Sequence, residues 1–395
     1  MSLETSWPAP GGTPSAEHCS HGGRLFERVG STLDHPEARE TCVPADVLDA
    51  WYPPAPAVVR AVEDNLAWLL HTSPPCRADG LRERLAAHLG LPSRHLMVGA
   101  GSSDLIFRLM PMLFKGRRVG IVSPAYGEYA HVLTANGNAE VVRIHAGNDH
   151  FTHTASHLLS EVERHRLDGL CLINPCNPTG QVLAPEQMDA LVTRLPASCT
   201  LVVDETYIGY VGRESSLAAR ACQLPNLVVI ESLSKIFAFS GIRAGVAVGT
   251  EALASALERE LATYHIGTIT TLAVARALDE GAYYQARLQE TRSLRSDLRQ
   301  ALDASGLFTA VLPSAINAVL VDCGPARGAE ALRVSLADQG VYVRNIEDQG
   351  LTEAQRDRFL RIAVLDAARN ARTVAALHAI RREGLVAGPT AGAQA

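Results

Sequence analysis

Short apolar runs rich in β-branched residues alternate along this chain with longer stretches whose apolar positions recur every three or four residues. Runs of the first kind mark strands and the second period marks helices, so the alternation predicts an α/β protein with a largely parallel sheet. The strand candidates are 118–123, 141–144, 169–173, 200–204, 227–232 and 244–249. Four of them are nearly unbroken apolar runs, as expected of strands covered by helices on both faces. Leu105, Leu109 and Leu113 fall on one helical face, and Met188, Leu191 and Leu195 on another. The stretch 250–300 reads as a long, charged, amphipathic helical region. Residues 305–380 read as a second α/β unit with strands at 316–321 and 359–364. Residues 1–30 and 386–395 are rich in small and polar residues without periodicity, the pattern of mobile ends. The expected map is an arm (1–45), a segment serving a small domain and the substrate pocket (46–75), a large domain (76–275), a small domain (276–385) and a tail.

At 395 residues the chain has room for two cores, and 47% hydrophobic with 20% charged residues is ordinary for a globular protein. The net charge of −6 offers no basic footprint for nucleic acid. No apolar run is long enough to cross a membrane, and the start, Met1-Ser-Leu-Glu-Thr5, lacks a basic region followed by an apolar core. A cytoplasmic enzyme without membrane or nucleic-acid partners is the expectation. Eight cysteines are scattered without a two-residue spacing, so reduced thiols are expected. Two histidine groups, His18 with His21 and His145, His150, His153 and His157, lack carboxylates or thiolates at ligand spacing, and no metal is expected.

The most informative stretch runs from Ile230 to Arg243, where Lys235 stands just beyond an apolar strand, flanked by Ser232 and Ser234. Desolvation at a buried strand end disfavours the ammonium form, as an amine that attacks an aldehyde requires. The hydroxyls and Arg243 suit a phosphate ester. Asp204 ends another strand 31 residues earlier, and Asn177, in Asn174-Pro-Cys-Asn-Pro-Thr-Gly180, lies 27 residues before that. Ends of parallel strands share one edge of a sheet, so the three can converge on one crevice.

With these motifs the sequence resembles fold-type I aminotransferases of class I/II, and within them the histidinol-phosphate aminotransferase branch, over roughly residues 45–385. The resemblance rests on Asn-Pro-Thr-Gly, on Asp204-Glu-Thr-Tyr207, and on Ser-Leu-Ser-Lys235 with its trailing arginine. It implies a large domain whose mostly parallel sheet is sandwiched by helices, a smaller α/β C-terminal domain, and pyridoxal 5'-phosphate (PLP) as cofactor. By the same resemblance Lys235 forms a Schiff base with PLP, Asp204 pairs with the pyridine nitrogen, and Asn177 and Tyr207 bond the phenolic oxygen. Ser232, Ser234 and Arg243 would hold the phosphate. A carboxylate at the ring nitrogen keeps it protonated and able to accept electrons, and a released lysine amine can move a proton.

Two more segments match. Gly101, Ser102 and Ser103 form a small-residue turn ahead of a helix, a place where backbone N–H groups bind anions. Tyr126, in Pro124-Ala-Tyr-Gly-Glu-Tyr129, matches the tyrosine that stacks on the ring. On the substrate side, Arg361 matches the carboxylate clamp. Arg344 matches an arginine directed at the substrate's side chain, or is a surface residue. Trp51 and Tyr52 stand where the family has an Asn-Glu pair, which predicts a reshaped pocket lined by both. His71-Thr-Ser73-Pro-Pro-Cys-Arg77 replaces the Arg-Tyr-Pro whose tyrosine reaches a partner subunit, and Asp104 replaces a glutamate. The reading is an aminotransferase acting on an amino acid, phosphorylated or otherwise polar, and a 2-oxo acid, as a homodimer with a shared active site. A PLP-dependent lyase, decarboxylase or cyclase is the alternative, because one cofactor supports all of these fates.

Overall fold

The computed structural model describes residues 22–325 and 328–382. Its strands are β1 (Val43–Ala45), β2 (Leu96–Gly99), β3 (Arg118–Ser123), β4 (Glu140–His145), β5 (Gly169–Ile173), β6 (Thr200–Asp204), β7 (Leu227–Ser232), β8 (Gly245–Val248), β9 (Ala310–Val311), β10 (Ala318–Asp322), β11 (Val341–Asn345) and β12 (Phe359–Ala363). They form a seven-stranded sheet, β2-β8-β7-β6-β5-β3-β4, and a five-stranded sheet, β1-β11-β12-β10-β9. Strands β3 to β7 pair in parallel, whereas β8 runs antiparallel to both β7 and β2.

The expected strands of the large sheet are present, with ends shifted by a residue at β4 and β8. Alternation explains why they read as unbroken apolar runs. Val119 and Ile121 pack into one cluster and Val122 into another; in β6, Val202 faces the first while Leu201 and Val203 face the second. Both faces are therefore buried under helices.

Two sequence expectations are corrected. The region 250–300 is three helices, Glu251–Glu260, Thr268–Ala277 and Gly281–Ala304, not one continuous stretch. Tyr264 takes a positive φ of 64° in the first break, a conformation a helix cannot carry. The arm does not extend to residue 45: β1 pairs in parallel with β11, setting Val43 opposite Val341 and Ala45 opposite Val343. Residues 1–21 and the tail 386–395, with His18, Cys19 and His21, lie outside the described residues.

The helix Gly281–Ala304, about 36 Å long at 1.5 Å per residue, joins the two units. Arg292 Nε donates to the Tyr210 carbonyl (3.1 Å) in the large unit, and Arg295 Nη1 to the Ile316 carbonyl (3.0 Å) in the small one. Their relative placement forms the walls of the cleft.

Candidate active site

Strand order reverses at β3, whose neighbours are β4 on one side and β5 on the other, and the carboxyl ends of such strands open a crevice. The loops leaving β3, β5, β6 and β7 bring Tyr126, Asn177, Asp204 with Tyr207, and Ser232 with Ser234 and Lys235 around one cleft of about 240 Å³. Asp46 and Asp49, together with Arg344 and Arg361 of the small sheet, close the other side.

Lys235 Nζ lies 3.2 Å from Asp49 Oδ1 and 3.5 Å from Ser240 Oγ. Burial pulls its ammonium below the ordinary lysine range; Asp49 opposes that shift, and Arg361 and Arg243 reinforce it. Asp204 is 5% exposed. The Tyr129 hydroxyl donates to its Oδ2 and the Thr206 N–H to its Oδ1, each at 2.9 Å. Burial pushes this carboxyl above the usual range, and those donors pull it partly back. Burial likewise holds the Tyr207 hydroxyl protonated.

The opposite end of the cleft is built for an anion. The helix Ser102–Phe114 begins there, with Ser102 and Ser103 lining the cleft at its first turn. Gly101, at φ +92°, leads into it, and a Cβ at that position would stand 2.6 Å from Arg243 Nη2. Only glycine lets the guanidinium lie against this turn. Arg243 itself holds a left-handed φ of 58°, a strained conformation of the kind that collects at functional sites. Ser232 and Ser234 are buried, and Ser234 Oγ has no hydrogen-bond partner. Asp104 braces the turn, accepting from the Ala100 N–H (3.1 Å) and Arg108 Nε (2.8 Å).

These residues fit PLP. A buried carboxyl suits a protonated ring nitrogen, and an orphaned hydroxyl, a guanidinium and a helix N-terminus suit a phosphate. The lysine lines the same cleft.

On the substrate side Arg361 is 6% exposed, with Nη1 donating to Asn177 Oδ1 (2.6 Å) and Nη2 to the Asp46 carbonyl (2.7 Å). Its Nε is buried without a partner. Burial pushes the guanidinium down to about 10, which leaves it charged at neutral pH. Arg344 is its cross-strand neighbour and makes a two-oxygen contact with Asp348 (2.6 and 2.8 Å).

Trp51 and Tyr52 do not line the cleft, and the expectation that they reshape it is corrected. Trp51 turns to the long helix, donating from Nε1 to Thr291 Oγ1 (2.9 Å) with Arg287 stacked 5.5 Å over its ring. Tyr52 is 3% exposed and donates to the Ile236 carbonyl (2.8 Å). Within this chain neither Ser73 nor Arg77 reaches the cleft, and Arg77 lies 3.5 Å from Glu258. His153 and His157 stack with rings nearly parallel, 5.3 Å between centroids. Among the described residues no group of three or more His, Cys, Asp or Glu is placed to hold a metal.

Sequence reasoning missed Asp49, Ser240 and Tyr129. Tyr129 carried a signal: it follows Tyr126 by three residues at the start of a helix, Glu128–Ala135, beside the sheet edge. Asp49 and Ser240 carried none beyond lying near motif residues.

The chain matches the family of class I and II aminotransferases over residues 47–377. A histidinol-phosphate aminotransferase from Symbiobacterium thermophilum is 31% identical, with 84% of this chain and 88% of the relative covered. A threonine-phosphate decarboxylase from Salmonella typhimurium is 30% identical, with 81% and 86% covered. Among solved structures, a histidinol-phosphate aminotransferase from Sinorhizobium meliloti in complex with pyridoxal-5'-phosphate superposes with a TM-score of 0.76 at 25% identity, covering 85% of this chain and 90% of that one. With the fold, the cleft and these likenesses in agreement, this chain belongs to the class I and II aminotransferases, in their histidinol-phosphate aminotransferase-like branch.

Proposed function

We propose that this protein is a PLP-dependent aminotransferase that moves an amino group between an amino acid with a polar side chain and a 2-oxo acid. One observation carries the reading: a half-buried lysine just beyond the carboxyl end of β7 shares one cleft with Asp204, Arg243 and an orphaned Ser234 hydroxyl. Bound there, PLP supplies an electron sink for a bond broken at the substrate's α-carbon. Asp204 would hold the ring nitrogen, Tyr126 would cover the ring, and Asn177 and Tyr207 would donate to the phenolic oxygen. Gly101, Ser102, Ser103, Ser232, Ser234 and Arg243 would hold the phosphate.

Lys235 Nζ would take a proton from the substrate α-carbon and deliver it to the cofactor carbon that receives the amino group, a role suited to an amine freed of much of its hydration. Arg361, fixed by Asn177 and the Asp46 carbonyl, has its Nε left for a carboxylate oxygen. Arg344 and Asp348 together offer both a cation and an acceptor to a polar side chain. A substrate phosphate would have to take the place of Asp348 on that guanidinium.

Decarboxylation is the second reading, favoured by the similarity to a threonine-phosphate decarboxylase. Incubating the protein with amino donors, phosphorylated ones included, separates the two. Transamination leaves the amino form of the cofactor without added oxo acid; CO₂ release with the cofactor unchanged overturns it. Lys235→Ala will abolish the visible absorbance of the lysine-linked cofactor.

The assembly we propose is a cytoplasmic homodimer. The helix Leu66–His71 exposes Leu66, Trp68 and Leu70 by 44%, 54% and 69%, an apolar face that a second copy would cover. Light scattering that finds an active monomer refutes the dimer.

A further inference from the structure

Asp49 lies in the loop between β1 and the helix Pro56–Glu63, and its carboxylate reaches across the cleft to the reactive lysine. Its Oδ1 accepts from Lys235 Nζ at 3.2 Å and from Ser240 Oγ at 2.5 Å, and Ser240 Oγ also lies 3.5 Å from Nζ. Amine, hydroxyl and carboxylate thus form a closed triangle from two distant segments of the chain.

The other charged groups facing Nζ differ in sign or in reach. Arg361 approaches from β12 and Arg243 from the loop before β8, and both repel an ammonium. Tyr207, from the loop after β6, is kept neutral by burial. Asp204 is engaged by Tyr129 and Thr206. Asp49 is therefore the carboxylate in direct contact with the amine, and its side chain, 53% exposed, lies on the open, substrate side of the cleft.

We propose that Asp49, oriented by Ser240, is a positioning residue that holds the Lys235 ammonium between the two halves of proton transfer. The inference rests on Lys235 being the cofactor lysine. A base that removes a proton and must return it elsewhere needs a counter-charge while it carries that proton. Two nearby guanidinium groups and a desolvated site would otherwise make the protonated lysine too short-lived to deliver it. Asp49 supplies that charge without entering the ring-binding part of the cleft, and the Ser240 hydroxyl keeps its oxygen on the lysine.

The test uses the cofactor-free protein, where Lys235 can be titrated by itself. Trace acylation of Lys235, followed by mass spectrometry of its peptide across a pH series, gives the midpoint at which the amine becomes reactive. Asp49→Asn is expected to move that midpoint down by about one pH unit, because removing a nearby opposite charge favours the neutral amine. Asp49→Glu is expected to restore most of the shift, and wild-type-like thermal melting of both variants shows that the fold is intact. In the holoenzyme the acid limb of the amino-donor half-reaction should move in the same direction.

An Asp49→Asn midpoint that stays at the wild-type value overturns the proposal. Visible cofactor absorbance in Lys235→Ala separates the two ideas. If that absorbance is lost while the Asp49→Asn midpoint is unmoved, only the role of Asp49 falls; if it persists, the assignment of Lys235 falls too.

Discussion

Tyr129→Phe removes one hydrogen-bond donor from Asp204, the carboxylate proposed to anchor the cofactor, and little else. The ring is 1% exposed and packs among Ile121, Val132 and Leu133, so it will stay in place. What goes is the 2.9 Å bond to Asp204 Oδ2, leaving the Thr206 N–H on Oδ1. A hydrogen bond to a charged group contributes about 1.5–3 kcal/mol, equivalent to roughly 1–2 pKa units on the group that loses it. Burial already holds Asp204 above the usual carboxylate range, and losing a donor to the ionised form raises it further. More of the carboxyl is then protonated at any given pH, and in that form it cannot pair with a protonated ring nitrogen. The expected result is a fall of about 10- to 100-fold in PLP affinity at neutral pH, following from the same 1.5–3 kcal/mol. The deficit should narrow as pH rises and the carboxyl ionises again. Titrating the apoprotein with PLP by absorbance across a pH series measures both. Unchanged affinity, or a deficit indifferent to pH, refutes the coupling between Tyr129 and Asp204.

Two further outcomes follow from half-buried Trp51 and buried Glu205, which lie outside the cleft. Trp51→Phe, which loses the Thr291 bond and weakens the Arg287 stack, should cost about 1–2 kcal/mol in denaturant unfolding while leaving KM for the amino donor unchanged. A shifted KM with unaltered stability would return Trp51 to the substrate pocket. Glu205 is buried, accepts from the Leu217 N–H (2.7 Å) and Ser216 Oγ (2.5 Å), and is pushed up to about 7 mainly by desolvation. Its folded value lies above its unfolded one, so its contribution is full below about 4.5 and is lost as pH rises through about 7, a change of roughly 3 kcal/mol. Glu205→Gln should flatten the stability profile across that window, and an unaltered slope in urea unfolding would contradict the assignment.

The sequence made the cofactor side legible because a parallel sheet converts strand ends into neighbours. Asn177, Asp204 and Lys235 each follow a recognisable apolar run, and the registers that pair Ile173 with Asp204 and Asp204 with Ile230 put those ends on one edge. The segment 46–52 shows where that logic stops. It has no long element whose period assigns faces, and its side chains diverge: Asp49 points to Lys235, Trp51 to the long helix and Tyr52 to the carbonyl of Ile236. The two contacts that tune the site join residues 186 and 75 positions apart, Asp49 with Lys235 and Tyr129 with Asp204. Neither pair shares a strand period or a helical face, so no local pattern could connect them.

The two sheets divide the chemistry between them. The seven-stranded sheet carries the lysine and Asp204 at the carboxyl ends of parallel strands, and the anion pocket draws as well on the turn after β2 and the loop before the antiparallel β8. The small sheet carries the arginines, and antiparallel register sets Arg344 opposite Arg361. Like charges directly opposed destabilise a strand pair. Here each has its own compensation: Asp348 for Arg344, and Asn177 with the Asp46 carbonyl for Arg361. Arg361 is therefore held by groups from the cofactor wall, and Arg344 by a group of its own loop. A change in Asp348 alters what Arg344 can bind without touching the cofactor, whereas a change in Asn177 disturbs both walls at once. On the proposed assignment of Arg344 to the substrate's side chain, substrate preference would vary through β11 and the turn after it while the residues around Lys235 stay fixed.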